Sequence, residues 1–120
     1  MKFTVIGCGD AFGSGGRLQT CYHVDTGSRR FLIDCGASAL IGLARQGLDP
    51  NDVDAILISP LHGDHFSGLV WWLLHGQHVG KRTAPLTITG PVGIRQRFIA
   101  AAEALFPRST EVESRFAMTF

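Results

Sequence analysis

The order of its patterned segments constrains this 120-residue chain more than any single motif does. Strand-like stretches come first as a cluster: Lys2 to Ile6, then Thr20 to Asp25 and Arg30 to Ile33 around the turn Thr26-Gly27-Ser28. From there helices and strands alternate. Ala37 to Gln46 carries helix-forming residues with Leu40, Ile41 and Ala44 on one face, and Gly47 is placed to end it. The turn Asp49-Pro50-Asn51-Asp52 leads into Ala55-Ile56-Leu57-Ile58, a short apolar run that suits a buried strand. A loop over Ser59 to His65 precedes a second helix, expected from about Ser67 to Leu74. Leu86 to Thr89 reads as a strand, Ile94 to Leu105 as an amphipathic helix, and Arg115 to Phe120 as strand-like. Clustered strands followed by alternation imply one mixed α/β sheet with helices packed on it. The length suits a single domain, 1–120.

Composition narrows the partners. The 11 Lys and Arg nearly balance the 10 Asp and Glu, a formal charge of +1, so no global field draws in nucleic acid or an anionic membrane. A nucleic-acid partner is allowed but unsupported. Cys8, Cys21 and Cys35 form an odd set without C-x-x-C spacing, which fits reduced thiols rather than a disulfide framework, and small buried cysteine is commoner than a ligand. The start Met1-Lys2-Phe3-Thr4-Val5-Ile6-Gly7 is too short in its apolar run for a signal peptide, and no stretch approaches the ~20 apolar residues of a membrane span. The expected compartment is the cytoplasm.

Chemistry concentrates in Ile58-Ser59-Pro60-Leu61-His62-Gly63-Asp64-His65-Phe66-Ser67-Gly68. Here His62, Asp64 and His65 offer two imidazoles and a carboxylate, donors suited to zinc and also to manganese or iron. Gly63 is expected to fold the backbone sharply enough to turn Asp64 and His65 toward His62. Asp64 is the candidate catalytic residue, orienting and deprotonating a water. The plainer alternative makes Asp64 a first-turn acid favoured by a helix dipole, with both histidines solvated.

The segment resembles the H-x-H-x-D-H loop of the metallo-β-lactamase superfamily. Gly7-Cys8-Gly9-Asp10-Ala11-Phe12-Gly13-Ser14-Gly15-Gly16-Arg17 is similar to the Gly-rich first turn of its ribonuclease Z-like and phosphodiesterase-like members. Leu32-Ile33-Asp34-Cys35-Gly36, Phe66-Ser67-Gly68-Leu69 and Thr89-Gly90-Pro91 fall where that family puts similar residues. The resemblance implies half of a four-layer αβ/βα sandwich, a mixed sheet with helices on one face. It also implies a metal-dependent hydrolase, probed best with phosphodiesters, using two zinc (or manganese or iron) ions in a complete site. Asp34 would then hydrogen-bond the metal loop from beneath; capping the helix near Ala37 is the alternative.

The first histidine of that loop would fall at position 60, which is Pro60, a residue with no donor. Carried over by position, His62 is a lone ligand of the first metal, and Asp64 with His65 a pair for the second. The family's other ligands come from a second half, which this chain does not reach. Metal binding by the chain is therefore expected to be weak. A catalytically inactive binding or assembly module, or a truncated fragment, is the alternative function. An uncovered sheet face implies a homodimer through that face, or a C-terminal half that covers it.

Other candidates carry less. Gly7-x-Gly9-x-x-Phe12 imitates a dinucleotide fingerprint but lacks its third glycine and following helix. His75 and His78 are placed in a loop after the second helix and read as surface residues; His23 reads as exposed or packed on its strand. Trp71 and Trp72 suit a core or interface better than a stacking platform. Arg29-Arg30 and Lys81-Arg82 read as solvated charge pairs in turns.

Overall fold

The computed structural model describes residues 1–120. Six strands form one sheet in the order in which they occur along the chain: β1 (Lys2–Gly7), β2 (Cys21–Asp25), β3 (Arg30–Ile33), β4 (Ala55–Leu57), β5 (Leu86–Thr89) and β6 (Met118–Thr119). The first three pair antiparallel and β3 through β6 pair parallel, so the sheet is mixed. Four helices intervene: α1 (Ala39–Arg45), the single turn α2 (Gly63–Phe66), α3 (Gly68–His78) and α4 (Ile94–Leu105).

Parallel strands laid down in sequence order, each joined by a crossover of the same right hand, put every helix on one face. The core shows this. Ala39 and Leu43 of α1, Leu69, Val70, Trp72 and Leu73 of α3, and Ile94, Phe98 and Ala102 of α4 join Ile6, Leu32, Ile56, Leu86 and Ile88 in one buried cluster. On that covered face Thr4, His23, Leu32, Ile56 and Ile88 lie side by side across the sheet. The alternate residues line the other face, where Phe3, Tyr22, Phe31, Ile33 and Leu57 meet no helix; Phe3 and Leu57 are exposed, and the Phe3 and Tyr22 rings stack at 5.5 Å. Half a sandwich is what the chain forms.

Element positions follow local chemistry. Gly47 at φ 68 ends α1, its N–H reaching Ala44 O while Leu48 N–H reaches Leu43 O. The Thr26–Ser28 turn holds Gly27 at φ 93, with Asp25 Oδ1 accepting from its N–H at 2.8 Å. Of the two alternatives for His23, the packed one holds: it is buried on the helix-covered side of the sheet. Two expectations are corrected. Helix α3 runs to His78, so His75 and His78 sit in its last turn and not in a loop. Arg82 is buried, because its guanidinium finds five backbone carbonyls: Pro50, Asn51, Val53, Ala84 and Pro85 at 2.8 to 3.3 Å. Five N–H donors meet five acceptors, which makes burial of the cation tolerable. Trp72 is in the core and Trp71 packs edge-on against Phe106, as expected of core residues. No helix is long and apolar enough to cross a membrane.

Candidate metal centre

Strand β3 stops at Asp34, a non-glycine residue at φ 62, a conformation that aspartate tolerates better than most residues. Its N–H still continues the parallel ladder to Leu57 O at 2.7 Å. The left-handed twist turns the side chain under the end of β4. There Asp34 Oδ1 accepts from Ser59 N–H at 2.7 Å, the Ser59 hydroxyl lies 2.9 and 2.8 Å from the two carboxylate oxygens, and His65 Nδ1 lies 2.8 Å from Oδ2. Asp34 is therefore bonded to the histidine loop. The helix-capping alternative does not hold: α1 begins after Ser38, and no side chain caps it.

Two glycines let this junction close. Cys35 N–H donates to His65 O at 2.7 Å and Gly68 N–H donates to Cys35 O at 2.9 Å, tying the start of α3 to the end of β3. A Cβ on Gly68 would stand 2.2 Å from Gly36 O, and one on Gly36 would stand 2.6 Å from Asp64 O. Only glycine fits at either place. Gly63 differs from the expectation: its φ is not positive and a Cβ there would meet open space, so the turn does not require it.

His65 and Asp64 converge. With Nδ1 donating to the Asp34 carboxylate, Nε2 faces Asp64 Oδ2 at 3.3 Å. Two acceptors directed at one another repel unless a proton or cation lies between them, and imidazole with carboxylate is a donor set that zinc accepts. His62 stands apart. It occupies the residue before α2 with extended backbone, exposed, its carbonyl taking the N–H groups of His65 and Phe66. No group of three or more His, Cys, Asp or Glu side chains is placed to hold a metal ion. The residues present fit two corners of a tetrahedral ion, not four. Asp64 also lies in the first turn of α2, the position that the plainer helix-dipole role requires.

The two buried thiols are out of play. Burial pushes the Cys21 thiol up to about 12, with the Asp34 charge adding to the rise. Cys35 is also raised well above the ordinary thiol value by burial, with Cys21 and Asp34 contributing. Ser59 is the one member of the cluster that sequence reasoning missed. Its signal was position alone, one residue beyond the apolar run of β4, where a short hydroxyl meets the neighbouring strand's last side chain.

Comparison with known proteins places these features in a group. Residues 1–94 match the family model described as anti-Pycsar protein Apyc1. The ribonuclease Z of Clostridioides difficile is 37% identical over 94 residues, covering 78% of this chain and 30% of that protein. The ribonuclease Z of Borrelia hermsii is 32% identical over 105 residues, covering 87% and 33%. The chain thus spans about a third or less of the curated relatives it matches. Among solved structures, the short form of human tRNase Z superposes with a TM-score of 0.77 at 31% identity, over 98% of this chain and 44% of that one. The metallo-β-lactamase fold protein YhfI of Bacillus subtilis gives 0.64 at 30% identity, over 78% and 39%. A zinc-bound PqqB of Methylobacterium extorquens shares the fold at 16% identity, with a TM-score of 0.63 over 99% and 48%.

Proposed function

We propose that this chain, which belongs to the family of the anti-Pycsar protein Apyc1 and has part of the metallo-β-lactamase fold, supplies the N-terminal part of a metal-dependent hydrolase that cleaves phosphodiesters. The observation that carries this is the pair His65 Nε2 and Asp64 Oδ2, 3.3 Å apart, with the imidazole held by Asp34 from behind. The likeness to proteins named ribonuclease Z supports a nucleotide phosphodiester as the substrate.

Each residue has a task in this reading. Asp34 accepts from His65 Nδ1–H, which fixes the tautomer and leaves Nε2 free to ligate. Ser59 holds Asp34 in turn through both its N–H and its hydroxyl, so the carboxylate has no freedom to swing away. Asp64 and His65 would share the ion, and the Asp64 oxygen not facing His65 is free to accept a proton. When bound, zinc or manganese supplies Lewis acidity at the phosphoryl group.

A second reading is favoured by position 60, where Pro60 offers no donor, and by the separation of His62 from the pair. In that reading the chain is an inactive binding or assembly module. Hydrolysis of bis(p-nitrophenyl) phosphate in zinc or manganese decides between them. The phosphodiesterase reading expects slow, metal-dependent cleavage that Asp64→Asn abolishes. Cleavage that survives Asp64→Asn, or metal uptake without any cleavage, defeats it; the second of these results favours the module.

A further inference from the structure

The connection between α4 and β6, residues 106–117, crosses the ends of α3 and α4 as a bridge fixed at two points. At one, Glu103 of α4 accepts from Arg108 N–H at 2.8 Å, from Thr110 N–H at 2.9 Å and from the Thr110 hydroxyl at 2.6 Å. At the other, Gln77 of α3 donates from Nε2 to Glu113 O at 3.0 Å and accepts from Arg115 N–H at 2.9 Å. Arg115 Nε returns a bond to Gln77 O, also at 2.9 Å. Val112 lies between these anchors and is exposed. Beneath it the bridge encloses, with the last turn of α3, a cavity of about 250 Å³.

The lining is apolar with one kind of charge. Leu73, Leu74, Phe106 and Val112 wall the cavity, Arg108 and His78 are its basic members, and no aspartate or glutamate lines it. The ion pairs of the chain are those of Arg30 with Asp25 and of His65 with Asp34 and Asp64, so neither base is spent on a carboxylate. The lining hydroxyls are already used: Ser109 donates to Ala102 O at 3.2 Å and Ser114 to Phe116 O at 2.6 Å. Arg108 also holds φ 70, a conformation costly for a residue with a Cβ, and the Glu103 bond to its N–H keeps it there. The cavity is remote from the histidine loop. It adjoins Gln77 and His78 at the end of α3, about 15 Å along the axis from Gly68 at its start.

We propose that this cavity binds a small aromatic monocarboxylate, its ring against Leu73, Leu74 and Phe106 and its carboxylate on Arg108, with His78 alongside. Charge complementarity selects the occupant. Two bases without an acid disfavour a cation, and apolar walls disfavour a ligand charged at both ends. The guanidinium fork matches a carboxylate, which it can bind through two parallel N–H groups. Size agrees: an apolar cavity of roughly 150 Å³ takes up benzene, so the larger volume here leaves room for a short arm to carry the carboxylate. This site needs no metal ion and is independent of the phosphodiester reading.

The test uses the full chain and three probes: phenylpropionate, phenylpropanol, which keeps the ring without the charge, and propionate, which keeps the charge without the ring. Calorimetric titration gives the affinities of the parent, Arg108→Gln and Val112→Phe. Trp71, whose ring meets Phe106 edge-on at 6.0 Å, reports entry through its emission. The parent is expected to bind phenylpropionate most tightly of the three, with a saturable change in emission. Arg108→Gln should weaken phenylpropionate roughly tenfold, the scale of one lost charge-assisted hydrogen bond, and leave phenylpropanol level. Val112→Phe, which fills the cavity, should weaken both ring-bearing probes. A parent that binds no phenylpropionate at millimolar concentration overturns the proposal. So does binding that Arg108→Gln or Val112→Phe leaves unchanged, because the carboxylate or the ring then sits elsewhere.

Discussion

At residue scale, the chain is governed by polar side chains that backbone groups satisfy. Arg82 is the clearest case, since its five N–H groups meet five carbonyls from two stretches of chain. Lysine has three donors at one point and cannot replace that fork. Arg82→Lys is expected to cost about 1–3 kcal/mol for each buried carbonyl left unpaired, read as a lower urea midpoint at unchanged slope. His23 makes a second prediction. Burial lowers its pKa from the ordinary 6.5; Asp25 opposes the drop, and Arg30 and Lys2 add to it. The fold thus favours the neutral ring. The stability this contributes is complete above about 6.5 and is lost as pH falls from there through the lowered folded value. His23→Leu should flatten that slope in denaturation curves between neutral pH and pH 5; an unchanged slope would place the titration elsewhere. Position 60 supplies the third. Pro60 stands two residues before His62, where the loop that this segment resembles has its first histidine. Pro60→His should raise zinc affinity in calorimetry, and no gain would show that position 60 faces away from the pair.

At the scale of elements, close approach decides. The start of α3 rests directly on the end of β3 because Gly36 and Gly68 carry no Cβ, and a methyl at Gly68 would collide with a carbonyl rather than a movable side chain. Gly68→Ala is expected to destabilise by roughly 1–3 kcal/mol, the usual cost of overpacking. Gly63→Ala, at the first position of α2 with open space around its Cβ, should be neutral or stabilise by about 0.5 kcal/mol. Thermal unfolding of the two variants side by side checks the contrast. The lengths of the elements were legible where the pattern was strong: α4 matches its expected bounds, Ile94 to Leu105. Helix α3 ran past Leu74 because Gly76 packs against the Phe116 ring, a partner forty residues away that no local pattern reveals.

At the scale of the whole molecule, the governing feature is the uncovered sheet face. Phe3, Val5, Tyr22, Phe31, Ile33 and Leu57 make it apolar across β1 to β4, and the net charge of +1 sets no barrier to self-association. Soluble monomers seldom expose contiguous apolar patches of more than a few hundred Å². The 120-residue chain by itself is therefore expected to pair with a second copy through this face, two-fold and self-complementary. Light scattering across a concentration series should show twice the monomer mass, falling to one in Leu57→Lys. A monomer at every concentration would sink the idea.

The bond from Asp34 to the histidine loop and the missing donor at position 60 were implied by the family resemblance; local chemistry, legible in order along the chain, determined the strand cluster and the alternation that follows. Each depends on residue type and on spacing, and periodicity exposes both. Only the tertiary structure decided that Arg82 is caged by carbonyls, that His62 stays out while His65 and Asp64 converge, and that Ser59 locks Asp34. Those outcomes depend on which distant backbone atoms come within hydrogen-bonding reach, and that follows from how β3, β4 and the first turn of α2 are packed together.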